Sequence, residues 1–290
     1  MVPAGHARIL VKLELANPTG SMKDRMALAM IDGAERSGRL KPGGEIVEFT
    51  GGSTGTSVAF VAAARGYTAT IITSDAFSLE KRRHMAAFGA DVRIVPSDGG
   101  RITPDLFIRM REQVEAIVAS RGAFWTDQFN NHDQAGGYGP LADEAWEQAG
   151  GGIDAFVHAV GTAGSLRGTA TGLRRHNPSI EVVAVEPSTS AVISGGAPGP
   201  HRMEGMGTGR IVPLWDASLA NGVEGVSTED AEAMARRLAR EEAIFAGTST
   251  GANLTAALRV AKRLGPGKTV LMIAVDDGLK YVTTPVYGGR

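Results

Sequence analysis

The sequence predicts an α/β protein built as two three-layer αβα domains with mainly parallel, twisted sheets. From Glu45 onward, short apolar runs alternate with glycine-bearing turns and amphipathic helices, the pattern of parallel sheets covered on both faces. At 290 residues and 43% hydrophobic composition, the chain can bury a sizeable core, as one large domain or two sharing a cleft. Two α/β domains facing a cleft is the economical architecture.

The first apolar run, Ile9 to Leu13, leads into Asn17-Pro-Thr-Gly-Ser-Met-Lys-Asp-Arg25. Pro18 keeps Asn17 extended, Gly20 suits a turn, and Ser21 suits a helix N-cap. Lys23 then falls in the first turn of an alanine- and methionine-rich helix, where the positive end of the helix disfavours an ammonium group. An amine held there and partly desolvated becomes nucleophilic.

The repeating units follow in order. Glu45 to Phe49 leads through Gly51-Gly52 into a helix near Thr54 to Arg65. Ala69 to Thr73 precedes a helix around Leu79 to Phe88, and Val92 to Val95 precedes one around Pro104 to Ser120. The strands resume at Asp154 to Val160, Glu181 to Val185, a short run near Ile244, and Thr269 to Val275. Two stretches break the rhythm. Phe124 to Gly139 is polar and suits a crossover between domains. Pro187 to Gly225 is long and rich in glycine and proline, which suits a segment lining a site.

Composition excludes several classes. A net charge of −1 gives no global field toward nucleic acid or membrane surfaces. Cysteine is absent, which removes disulfides, thiolate nucleophiles and iron–sulfur clusters. No apolar run is long enough to span a bilayer, and the opening Met-Val-Pro-Ala-Gly-His-Ala-Arg lacks a signal-peptide core. The expectation is a cytoplasmic protein.

Three turns share one logic, a glycine-rich bend opening a helix: Thr50-Gly-Gly-Ser-Thr-Gly55, Gly161-Thr-Ala-Gly-Ser165 and Gly247-Thr-Ser-Thr-Gly251. Such bends direct backbone N–H groups and the positive helix end at phosphate or carboxylate. The middle one follows a strongly apolar strand and is the best phosphate cradle. For any one of them the plainer reading is a tight turn where glycine is favoured by its backbone alone. Other motifs carry less. Ser53 and Ser249 each sit in a G-x-S-x-G pattern, but a hydrolase elbow needs a later histidine, and the last is His201, so Ser249 fails and Ser53 stays open. Gly267-Lys-Thr269 precedes a strand instead of following one and lacks the first glycine of a Walker loop. The six histidines show no metal-binding spacing. The basic run Lys81-Arg-Arg-His84 reads as a solvated helix face.

Together these stretches resemble the cysteine synthase (O-acetylserine sulfhydrylase) and cystathionine beta-synthase family, enzymes of fold type II with a tryptophan synthase beta-like architecture that use pyridoxal 5′-phosphate. The resemblance covers nearly the whole chain. It implies that Lys23 is the Schiff-base lysine. It implies a substrate-carboxylate loop at Thr50, Gly51, Gly52, Ser53 and Thr54, with Ser53 also beside the cofactor. Gln128 becomes a second carboxylate contact, and Gly205, in Pro200-His-Arg-Met-Glu-Gly-Met-Gly207, belongs to the segment that closes over the amino acid. Gly161, Thr162, Ala163, Gly164 and Ser165 wrap the phosphate, and Ser249 bonds the pyridine nitrogen. A neutral hydroxyl there leaves a moderated electron sink, which suits β-elimination.

The chain departs from the family at three places. Gly51 replaces a serine whose hydroxyl contacts the carboxylate, Ser53 replaces an asparagine, and Ala163 replaces a glycine where φ > 0 would be costly. The implied activity is β-replacement on an O-activated serine, O-acetylserine plus sulfide giving cysteine, through an external aldimine and a bound aminoacrylate. The alternatives are another β-substitution or elimination (cystathionine, cyanoalanine or diaminopropionate formation) or, from another class, a serine hydrolase using Ser53. The expected domains are 17–130, and 131–290 with 1–16. The expected partners are an amino acid and a small nucleophile, without metal, nucleic acid or membrane, in a homodimer.

Overall fold

The computed structural model describes residues 1–101 and 103–288. In chain order the first elements are β1 (Arg8–Leu13), α1 (Lys23–Arg36), β2 (Glu45–Phe49), α2 (Ser53–Arg65), β3 (Thr68–Ser74) and α3 (Leu79–Ala87). β4 (Asp91–Val95), α4 (Pro104–Arg121), β5 (Phe124–Trp125), α5 (Asp133–Gly136), α6 (Gly139–Gln148) and β6 (Ala155–Ala159) follow. The last are α7 (Gly164–His176), β7 (Glu181–Pro187), β8 (Gly222–Val226), α8 (Thr228–Glu242), α9 (Thr248–Leu264) and β9 (Thr269–Ala274).

The chain forms two compact units, Asn17–Gln134, and Met1–Ala16 with Ala135–Arg290. The first holds a sheet of order β4-β3-β2-β5, the second one of order β1-β9-β6-β7-β8. Every pairing between these strands is parallel, as the short apolar runs predict.

Strand alternation explains the layers. In the first unit Ile46 and Ile71 face a cluster with Ala27, Ile31, Val58 and Val61 of α1 and α2. Their neighbours Val47 and Ile72 face the other way, onto Leu106, Met110 and Val114 of α4. Successive side chains on a strand point to opposite faces, so one apolar run feeds both cores. In the second unit Ala155, Val157, Val183, Val185, Val270 and Met272 pack with Leu238 of α8 and with Leu254 and Val260 of α9. The intervening Phe156, Val182, Ala184, Leu271 and Ile273 are buried as well, and α7 lies against β6.

Several expectations are corrected. The run near Ile244 is not a strand: it follows the end of α8, and only Ala246 makes an isolated bridge, to Asp277. The strand lies instead at Gly222–Val226, over the end of the stretch read as a long loop. Two glycines in five residues hide it, because glycine weakens the β signal. Ser21 is not the N-cap of α1, which is Met22. Lys81 is not on a solvated face: it is 2% exposed, while Arg83 in the same run is exposed.

Candidate active site

In the unit Asn17–Gln134, Lys23 is the first residue of α1. The turn before it closes through Gly20 N–H to the Asn17 carbonyl at 2.7 Å, and Asn17 Nδ2 donates to the Ser21 carbonyl at 3.2 Å. Ser21 Oγ accepts from Lys23 N at 3.2 Å, so the serine still caps an orphan donor of the helix start. The next residue anchors the helix. The buried Asp24 carboxylate accepts from Thr19 N at 2.9 Å, Thr19 Oγ1 at 2.6 Å and Ser57 Oγ at 2.6 Å. Ser57 belongs to α2, so this carboxylate locks the lysine-bearing helix start to the helix opened by the Thr50–Thr54 turn. Lys23 itself is half-buried.

That turn runs from the carboxyl end of β2 into α2. Gly52 N donates to Thr50 Oγ1 at 3.1 Å, Thr54 Oγ1 donates to Gln128 Oε1 at 2.8 Å, and Gln128 Nε2 donates to the Phe49 carbonyl at 3.2 Å. Thr54 and Gln128, 74 positions apart, are thereby brought into one patch. Beneath it lies Glu48, fully buried on β2. It accepts from Phe49 N at 2.8 Å, Trp125 Nε1 at 3.3 Å, Thr126 Oγ1 at 2.6 Å and Gln128 N at 3.0 Å. Burial pushes its carboxyl up to about 7 from an ordinary 4.5, against the lowering effect of these donors. The two glycines of the turn each have a side chain against them. A Cβ on Gly51 would fall 2.3 Å from Phe77 Cε1, and one on Gly52 would fall 3.6 Å from Lys81 Nζ.

In the other unit the Gly161–Ser165 turn leads from β6 into α7. A Cβ on Gly161 would meet the Gly205 carbonyl oxygen at 2.3 Å, and Gly207 N donates to the Val160 carbonyl at 3.0 Å. The segment around Gly205 thus rests directly on this turn, which leaves no room for a side chain there. Ala163 adopts φ 68°, ψ −9°, the left-handed conformation its departure from glycine makes costly. Ser165 Oγ lies 2.9 Å from Nε2 of the buried His158.

Ser249 is the second residue of α9 and is buried. The bend before it is wedged: a Cβ on Gly247 would lie 2.5 Å from the Tyr281 ring and 2.6 Å from Asp276 Oδ1. Tyr281 donates to Asp276 Oδ2 at 2.6 Å, and burial, with that carboxylate beside it, pushes its hydroxyl well above the usual phenol range. The neighbouring Thr248 hydroxyl is buried without a hydrogen-bond partner.

Each unit by itself carries features that suit part of a phosphate-bearing aldehyde cofactor. An amine opens α1. The first N–H groups of α7 have no carbonyl a turn before them, and no acidic side chain stands in that first turn, so its charge and donors suit a phosphate. The bend into α9 offers buried hydroxyls at Thr248 and Ser249. The sequence reading missed Asp24, Glu48, Phe77 and His158. An acid and a histidine inside apolar strands are signals it does carry. Their partners Thr126 and Asn253 lie 78 and 95 positions away, beyond local pattern.

Two parallel-sheet units with helix-opening turns at strand ends define an α/β enzyme equipped for anionic ligands. A family model described as pyridoxal-phosphate dependent enzyme matches residues 3–276. A cysteine synthase of Staphylococcus aureus is 42% identical over 97% of this chain and 89% of its own length. The crystal structure of cysteine synthase from Entamoeba histolytica superposes with a TM-score of 0.91 at 34% identity, covering 100% of this chain and 84% of that one. An O-acetylserine dependent cystathionine beta-synthase from Helicobacter pylori gives 0.89 at 33%, covering 98% and 92%. The chain belongs to the pyridoxal-phosphate dependent enzymes, of the cysteine synthase type. This leaves the hydrolase reading of Ser53 without support.

Proposed function

We propose that the protein catalyses β-replacement on O-acetylserine with sulfide, giving cysteine. The S. aureus relative supplies the likeness; the observation that carries the reading is the Asp24 anchor, which joins the helix start bearing Lys23 to the helix opened by the Thr50–Thr54 turn. When bound, pyridoxal phosphate supplies the electron sink that lets an amino acid lose its α-proton and then its β-substituent. Lys23 would hold the cofactor, and its Nζ would also serve as the general base for the substrate α-proton. Thr50, Gly51, Gly52 and Ser53 present the N-terminus of α2 to the substrate carboxylate, and the Thr54–Gln128 pair orients the amide beside it. Gly161, Thr162, Ala163, Gly164 and Ser165 would receive the phosphate. Ser249 would donate to the ring nitrogen, and Ser53 would help to hold the ring. Gly205, resting on the Gly161 turn, belongs to the segment that excludes water.

The experiment is direct. Purified protein with added cofactor is expected to absorb in the visible, and borohydride followed by peptide mapping is expected to mark Lys23. Cysteine is expected to form from O-acetylserine and sulfide, and to be lost in Lys23→Ala. A colourless protein, a mark elsewhere, or an unchanged Lys23→Ala rate would overturn the reading. A second reading keeps the chemistry but changes donor or nucleophile, as in the H. pylori relative; the loss of a hydroxyl at Gly51 favours it, and a panel of O-substituted serines separates the two. We also propose a homodimer acting in the cytoplasm. Light scattering tests the assembly, and a monomer would end that part. Among the described residues no helix is long and apolar enough to cross a membrane.

A further inference from the structure

Under the Gly161 turn lies a buried imidazole that the reaction above does not use. His158, on β6, is fully buried, as is Asn253 of α9. Asn253 Oδ1 accepts from Ala159 N at 2.7 Å, and its Nδ2 donates to the Ile273 carbonyl at 3.0 Å. Reversing this amide would set its NH2 against an N–H and its oxygen against a carbonyl, two repulsions in a buried site. The amide orientation is therefore fixed by the backbone of two strands. Its Nδ2 also lies 3.4 Å from His158 Nδ1, so Nδ1 faces a donor and must present its lone pair. A neutral imidazole with a bare Nδ1 carries its proton on Nε2. That N–H points at Ser165 Oγ, 2.9 Å away, and occupies an acceptor position of the hydroxyl.

We propose that His158 is a positioning residue that makes Ser165 a hydrogen-bond donor to the cofactor phosphate. The inference rests on the reading that the Gly161–Ser165 turn receives that phosphate. A serine hydroxyl near a helix start can instead turn back onto local backbone. With the imidazole N–H filling one of its lone pairs, the hydroxyl hydrogen is directed away from the ring. The same chain of contacts reaches α9 one turn beyond Ser249, so one buried pair braces both helix starts proposed to hold the cofactor.

The test uses holoenzyme labelled with ¹⁵N-histidine. Two-bond ¹⁵N–¹H correlation should show His158 with a protonated Nε2 and a bare Nδ1. The signal is assigned by its absence in His158→Gln or, if that variant does not fold, by replacing the other five histidines one at a time. A protonated Nδ1 with a bare Nε2, or an imidazolium at neutral pH, would overturn the proposal at the histidine. Cofactor affinity is read by absorbance titration and the phosphate by ³¹P NMR. Ser165→Ala is expected to weaken affinity roughly tenfold, the scale of one hydrogen bond to a charged group, and to move the ³¹P signal. Ser165→Thr should keep both. His158→Leu, which removes the N–H that a glutamine could still offer, should weaken affinity and add nothing to Ser165→Ala. Additive losses would show that His158 acts by some other route. Unchanged affinity and ³¹P shift in Ser165→Ala would overturn the phosphate reading of the turn itself, so the two failures are distinguishable.

Discussion

The ring edge of Phe77 occupies the place where a side chain on residue 51 would begin: a Cβ on Gly51 would fall within 2.3 to 2.6 Å of Phe77 Cε1, Cδ1 and Cζ. A side chain at this position, such as the serine of the family, cannot be accommodated with the ring where it stands. Gly51→Ser should therefore displace the ring, costing roughly 1–3 kcal/mol as overpacking does, and should raise KM for the donor amino acid. Phe77→Ala in the same chain should restore both. Thermal melts and steady-state kinetics on the single and double variants check this, and a tolerated Gly51→Ser would refute it.

Glu48 gives a pH signature. Its carboxyl holds a proton up to about 7 in the folded chain against 4.5 ordinarily. Between those values the folded state binds more protons than the unfolded one, so stability falls as pH rises through that window, by roughly 3 kcal/mol. Glu48→Gln should remove this slope. The amide turns two N–H groups toward these donors where the protonated carboxyl turns one O–H, so at pH 5 the variant should be less stable than the natural chain by roughly 1–3 kcal/mol. That deficit should shrink by pH 8. Denaturant midpoints at the two pH values measure it; parallel curves would refute it.

Ala163 sits at φ 68°. Relief of a left-handed alanine is worth roughly 1–2 kcal/mol, and glycine costs roughly 0.5–1 in chain entropy. Ala163→Gly should thus raise stability by about 0.5–1 kcal/mol, a gain of a few degrees in Tm for a chain of this size. Ala163→Val should lower it. A fall in Tm for the glycine variant would show that this turn is not strained.

Gly161 has the Gly205 carbonyl oxygen 2.3 Å from its absent Cβ. Backbone cannot step aside as a side chain can. Gly161→Ala should cost roughly 3 kcal/mol and loosen the segment around Gly205, with cofactor affinity falling in the same variant. Calorimetry and an absorbance titration read the two effects, and a variant that binds cofactor normally would contradict the placement.

The residues alone determined the strand–turn–helix rhythm, the parallel sheets and a helix with Lys23 in its first turn, because these follow from near-neighbour spacing and from what proline, glycine and the hydroxyl residues do to local backbone. They misled where the local signal was weak or double-edged: the glycine-rich strand at Gly222–Val226, the apolar run at Ile244, and Lys81, whose basic neighbours suggested solvent. Tertiary structure alone decided the pairings that join distant positions. These are Asp24 with Ser57, Thr54 with Gln128, Phe77 against Gly51, and the Ser165–His158–Asn253 chain. The physical reason is that a hydrogen bond or a steric contact acts over a few ångströms of space, and only folding sets which parts of the chain come within that reach.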